Sequence, residues 1–226
     1  MPPVLTRFIN SIVHGRYRAL NNLDRKIEKY LAYRGGYYVE LGANDGLTQS
    51  NTYFLERAYG WRGLLIEPAP QNFLKCLANR SPLNVVRCAA CVSFEYGQKF
   101  VEIVYSNLMS TPIGVESDIG DPMEQAQKGL IRLPPGEVIF TYGAKAETLN
   151  ALLIQAGAPR VVDFMSLDVE GAEIEVLKGI DHSYHRFKYI LVECRNFPKL
   201  DDYLRSNGYV YLKALSEHDY LFRTNA

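Results

Sequence analysis

The sequence lacks an excess of charge of either sign: its 226 residues carry 25 Lys plus Arg against 25 Asp plus Glu, a formal net charge of +0. Without a global basic field, neither a nucleic-acid partner nor an anionic membrane surface is expected. Cysteine is scarce, with four in the chain. Cys76, Cys88, Cys91 and Cys194 are scattered, and the Cys88-Ala89-Ala90-Cys91 pair has no second Cys or His pair to complete a zinc site. Reduced thiols packed as small hydrophobes are expected. No apolar run approaches the roughly 20 residues of a membrane-spanning helix, and Met1 to Arg7 show none of the regions of a signal peptide. A cytoplasmic protein without a membrane span is the expectation. Internal repeats and low-complexity tracts are absent, as is the Gly-x-Gly-x-x-Gly spacing of dinucleotide-binding turns.

What is present is an alternation of short apolar runs with helical patterns. Apolar residues at spacings of three and four predict an amphipathic helix within Tyr17 to Tyr33, ended by Gly35-Gly36. Strands are predicted at Tyr37 to Leu41, Gly63 to Ile66, Asn84 to Arg87, Val162 to Leu167 and Tyr189 to Glu193, with helices near 50–58, 70–79, 147–156, 172–179 and 199–206. Continuous apolar strands alternating with helices imply a parallel sheet covered on both faces. Tyr209 to Lys213 and Tyr220 to Arg223 predict an antiparallel C-terminal hairpin, giving a mostly parallel seven-stranded sheet. The length suits one domain over 36–226 behind a helical extension over 1–35. Between Phe94 and Tyr142, Gly and Pro punctuate any regular pattern. A hairpin near Lys99 to Tyr105 and a lid-like insertion over about 106–137 are expected there.

Glu40-Leu41-Gly42-Ala43-Asn44-Asp45-Gly46 reads as a buried strand running into a glycine turn that opens a helix. Gly42 lets the backbone approach a ligand, and Gly46 allows tight packing. An acidic residue two positions before Gly42 suits a ligand bearing an ammonium group better than one bearing a pyrophosphate. Leu64-Leu65-Ile66-Glu67-Pro68 places a carboxylate at the next strand end, where it can accept from ribose hydroxyls. Residues Cys88 to Ala90 would pass an adenine ring. The predicted ligand-binding set is therefore Glu40, Gly42, Ala43, Asn44, Gly46, Glu67, Pro68, Ala89 and Asp168.

The sequence resembles the FkbM family of methyltransferases through Val39 to Gly46, Ser50-Asn51-Thr52, Trp61 to Pro68 and, most distinctively, Asp163-Phe164-Met165-Ser166-Leu167-Asp168-Val169-Glu170-Gly171-Ala172-Glu173 continued to Gly179. The resemblance covers about Tyr37 to Phe222. It implies a Rossmann-like α/β class I methyltransferase fold, S-adenosylmethionine as donor, and O-methylation of a small-molecule or glycan hydroxyl. Methyl transfer needs alignment of donor and acceptor and removal of the acceptor proton. Asp168, Glu170, Glu193 and His218 are the catalytic candidates, with His182 and His185 as weaker ones. Magnesium or manganese held by Asp168, Glu193 and Asn196 is the alternative route to an acidified hydroxyl. A nicotinamide-dependent oxidoreductase and a non-catalytic nucleotide-binding module are the rival readings, and a homodimer is one assembly left open.

Overall fold

The structure is a computed structural model that describes residues 17–133 and 135–225. Residues 1–16, with much of the expected N-terminal extension and the Met1 to Arg7 reading, lie outside the described residues. Helix α1 (Leu23–Leu31) leads to β1 (Tyr37–Leu41), α2 (Tyr53–Tyr59), β2 (Arg62–Ile66), α3 (Pro70–Asn79) and β3 (Val85–Arg87). Four short strands and one helix follow: β4 (Ala90–Val92), β5 (Phe100–Tyr105), β6 (Thr111–Ile113), α4 (Pro122–Lys128) and β7 (Phe140–Thr148). The chain returns through α5 (Leu149–Gln155), β8 (Val161–Leu167), α6 (Glu173–Leu177), β9 (Arg186–Glu193) and α7 (Phe197–Ser206). It closes with β10 (Tyr209–Ala214) and β11 (Asp219–Thr224).

The main sheet has the order β10-β11-β9-β8-β1-β2-β3, parallel from β9 to β3, with antiparallel β11 and β10 at one end. This is the Rossmann-like class I methyltransferase arrangement that the resemblance implied. Alternate residues of each central strand enter different cores. Val39, Leu41, Leu64, Ile66, Met165, Leu167, Ile190 and Val192 pack with α5, α6 and α7. Tyr38, Leu65, Phe164 and Leu191 face the other way and pack with α1, α2 and Cys76 of α3. Local chemistry sets the helix starts: Pro70 opens α3, and Asp121, Thr148 and Asn196 cap α4, α5 and α7 with their side chains.

Three expectations change. The helix read over Tyr17 to Tyr33 begins at Leu23, because Asn21 and Asn22 adopt left-handed backbone (φ 53° and 55°) and break the pattern. In the segment 94–142 the expected hairpin is present, β5 pairing antiparallel with β6, but it belongs to a second, four-stranded sheet of order β4-β7-β5-β6, and α4 replaces part of the expected loop. The helix expected over 147–156 gives its first two residues to β7, since the Thr148 hydroxyl accepts from Ala151 N and starts the helix after it. All four cysteines are free, with Cys76 and Cys194 buried. Among the described residues, no helix is long and apolar enough to cross a membrane.

Candidate active site

Strand register builds the site. Leu41 lies level with Ile66 on one side and Leu167 on the other, and Leu167 is level with Val192. The next residue of each strand, Gly42, Glu67, Asp168 and Glu193, therefore emerges at one edge of the sheet. These four line a cavity of about 160 Å³, roofed by Asn107 to Ser110, Pro112 and Val115 of the insertion. Gly42 is at φ 73°, and a Cβ there would lie 1.9 Å from the Asp168 carbonyl oxygen. Only glycine lets β1 turn this close to β8.

Of the predicted binding residues, Glu40, Gly42, Ala43, Asn44, Glu67, Pro68, Ala89 and Asp168 line the cavity, and Gly46 does not. A Cβ on Gly46 would meet Arg80 Cγ at 2.8 Å, so this glycine makes room for an arginine rather than a ligand. Glu67 is buried; its Oε2 accepts from Asn44 N at 2.8 Å and its Oε1 from Ala69 N at 2.9 Å. Each oxygen keeps a lone pair for a further donor. Burial pushes its pKa up to about 7 against the pull of those two backbone bonds.

Glu40 also has a structural role that the sequence did not show. Its Oε1 accepts from Ser50 Oγ (2.9 Å) and Asn51 N (2.9 Å), and its Oε2 from Thr52 Oγ1 (2.6 Å) and Arg80 Nη1 (3.0 Å). Arg80 is itself buried, bridging onward to Glu56 at 2.8 Å and to the Tyr38 hydroxyl at 2.6 Å. Glu40 thus holds the turn, sharing Arg80 with Glu56 while it lines the cavity. Nothing in the sequence pointed to Arg80, 40 positions downstream.

The catalytic candidates divide. Asp168 and Glu193 face each other in the cavity, and burial first, then the Glu193, Glu170 and Glu173 charges, hold the Asp168 carboxyl well above the usual carboxylate range. Glu170 lies beside them in left-handed backbone (φ 53°), its Oε2 accepting from Arg195 Nη2 at 3.2 Å and Gln125 Nε2 at 3.3 Å. Burial and Glu193 raise its pKa to about 6, with Arg195 opposing. His218 sits on the β10–β11 turn, half exposed and away from the cavity lining. His182 and His185 precede β9, at the opposite end of the strand from Glu193; His182 Nε2 lies 3.2 Å from Leu177 O and His185 Nδ1 3.3 Å from Asn150 Oδ1. The metal set comes apart as well: Asn196 Oδ1 accepts from Lys199 N as the cap of α7, and the residue lines a separate small cavity. Among the described residues, the groups close enough to share a cation are Asp118, Glu173 and Cys194, within 4.8 Å of one another. Arg195 Nη1 approaches Asp118 there at 3.6 Å.

With this geometry in place, the family described as "Methyltransferase FkbM domain" matches residues 40–211. The chain belongs to the FkbM methyltransferase family. The match runs from within β1 to within β10, so it includes all four strand ends of the cavity, and membership sets aside the nicotinamide-dependent reading. No curated protein matches this FkbM-family chain. Among solved structures it is similar to the FkbM methyltransferase from Methylobacillus flagellatus KT, at 13% identity and a TM-score of 0.46, covering 84% of this chain and 44% of that one. It is also similar to a methyltransferase from Geobacter sulfurreducens (12%, TM-score 0.45, 99% and 88%). A third is the N-terminal domain of human METTL16 (14%, TM-score 0.42, 90% and 68%).

Proposed function

We propose that this FkbM-family chain is an S-adenosylmethionine-dependent O-methyltransferase acting on a hydroxyl of a sugar, glycan or secondary metabolite. The observation that carries this reading is the charge of the cavity. Glu40, Glu67, Asp168, Glu170 and Glu193 line it, and no Lys, Arg or His is among the described lining residues. Such a wall suits a donor that carries a positive sulfonium.

The residues present fit that donor. Gly42 leaves space where any side chain would collide, Glu67 has lone pairs left for two ribose hydroxyls, and Ala89 with Pro68 offers an apolar flank for a base. When bound, the cofactor supplies an electrophilic methyl group. The chain's part is to orient the acceptor and take its proton. Asp168, made more basic by burial and by Glu193, accepts the hydroxyl proton, and Glu193 shares the resulting acidic hydrogen. The insertion's Leu108, Met109 and Val115 narrow the way in and reduce water beside the reacting oxygen. The separation of Asn196 from the acid pair breaks the expected ligand set for a cation, which favours proton removal by a side chain.

The test is methyl transfer from labelled S-adenosylmethionine to a panel of free sugars, glycans and lipid-linked sugars, with Asp168→Asn in parallel. Label in a base-stable ether that depends on Asp168 supports the reading. Label only in amines or thiols would contradict O-methylation.

A further inference from the structure

We infer that Asn51 is a cofactor-binding residue, its side-chain carbonyl accepting a hydrogen bond from the ammonium of the cofactor's aminoacyl end. The inference rests on the S-adenosylmethionine reading above.

Asn51 is held rigidly. Its backbone N donates to Glu40 Oε1 at 2.9 Å, and its Nδ2 donates to Ser166 Oγ at 3.0 Å, on β8 two residues before Asp168. The residue is 9% exposed and lines the cavity. With both nitrogens anchored, Oδ1 is left buried without a hydrogen-bond partner. Among the described residues with such orphaned side-chain atoms, Asn51 alone lines this cavity. Buried polar atoms are nearly always paired, so an unpaired acceptor on a residue held at the wall of a cavity marks where a donor from outside the chain belongs.

Charge identifies that donor. Glu40, whose Oε1 accepts from Asn51 N, is engaged by Arg80, while the lining offers no cationic side chain to Oδ1. An ammonium group brings three N–H donors and suits the carboxylate-lined wall. Position agrees. Asn51 and Ser166 lie on the β8 side of β1, whereas Glu67 lies on the β2 side. Ribose and aminoacyl end are thereby received on opposite sides of the Gly42 turn.

Isothermal titration of wild type, Asn51→Leu and Asn51→Asp with S-adenosylhomocysteine and its deaminated analogue tests this. Wild type should prefer the ammonium-bearing ligand by about tenfold or more, the usual weight of a hydrogen bond to a charged group. Asn51→Leu should lose that preference with unchanged affinity for the analogue, and Asn51→Asp, which keeps the acceptor, should restore it. Equal weakening of both ligands by Asn51→Leu means a structural role and overturns the assignment. Equal affinity of wild type for the two ligands overturns it without any variant. Absence of S-adenosylhomocysteine binding by wild type instead overturns the donor reading on which it rests.

Discussion

At the scale of single residues, the site works through carboxylates held out of their ordinary range. Glu67 with a pKa of about 7 must be ionised to accept from both ribose hydroxyls, so S-adenosylhomocysteine affinity should rise as pH climbs from 6 to 8. Glu67→Gln should bind at least about tenfold more weakly at pH 8 and lose the pH dependence; a titration at three pH values checks both. Asp168→Asn keeps the shape and removes the base. Turnover should fall by roughly 10²-fold or more with cofactor affinity nearly unchanged. Parallel loss of binding and turnover would move Asp168 from chemistry to capture.

At the scale of elements, the strand ends were legible in the sequence because strands buried on both faces have little freedom of composition. Tyr37 to Leu41, the runs through Ile66 and Leu167, and the following Gly42 and Glu67 emerged from apolar runs and turn chemistry, whereas Asp168 came from the family resemblance together with its place at a strand end. The second sheet did not emerge: β7 alternates apolar and polar residues from Phe140 to Glu147, but its one buried residue is Ala144, and the glycines and prolines before it read as loop. Long-range pairing was equally silent: Arg80 looks like the polar end of a helix, yet its guanidinium reaches Glu40, Ser50, Thr52, Tyr38 and Glu56. Asn196 was read as a ligand from its place after β9, where a helix cap has the same residue type. The Arg80 network is what fixes the Gly42–Thr52 turn. Arg80→Met leaves two buried carboxylates uncompensated and should cost about 3–5 kcal/mol, measured by urea denaturation, whereas exposed Arg57→Met should cost little.

At the scale of the whole molecule, the insertion is tied over the strand ends by charge. Glu116 pairs with Lys178 and Lys199, and Asp118 with Arg195. The lysines hold the Glu116 carboxyl below its usual range, so the Glu116 ties persist at neutral pH and are lost as pH falls through that lowered value, and salt screens all of these pairs. Proteolytic nicking within 106–137 should increase with salt, and indifference to ionic strength would remove charge as the tie. Global stability runs the other way with pH. Burial raises Glu67 to about 7 and Glu173 to about 8 from 4.5, so between those values the folded chain holds protons the unfolded chain has released. Stability should therefore fall as pH rises from about 5 to 8, and Glu173→Gln should flatten the decline in melting temperature. Of the two, Glu67, costly to ionise where it is buried, makes sense as part of the wall of a site for a cationic donor. The measurement that tests this account most directly is isothermal titration of the wild-type chain with S-adenosylhomocysteine and, separately, with NAD. Saturable one-to-one binding of S-adenosylhomocysteine and none of NAD is the predicted result; binding of NAD alone, or of neither, would contradict it.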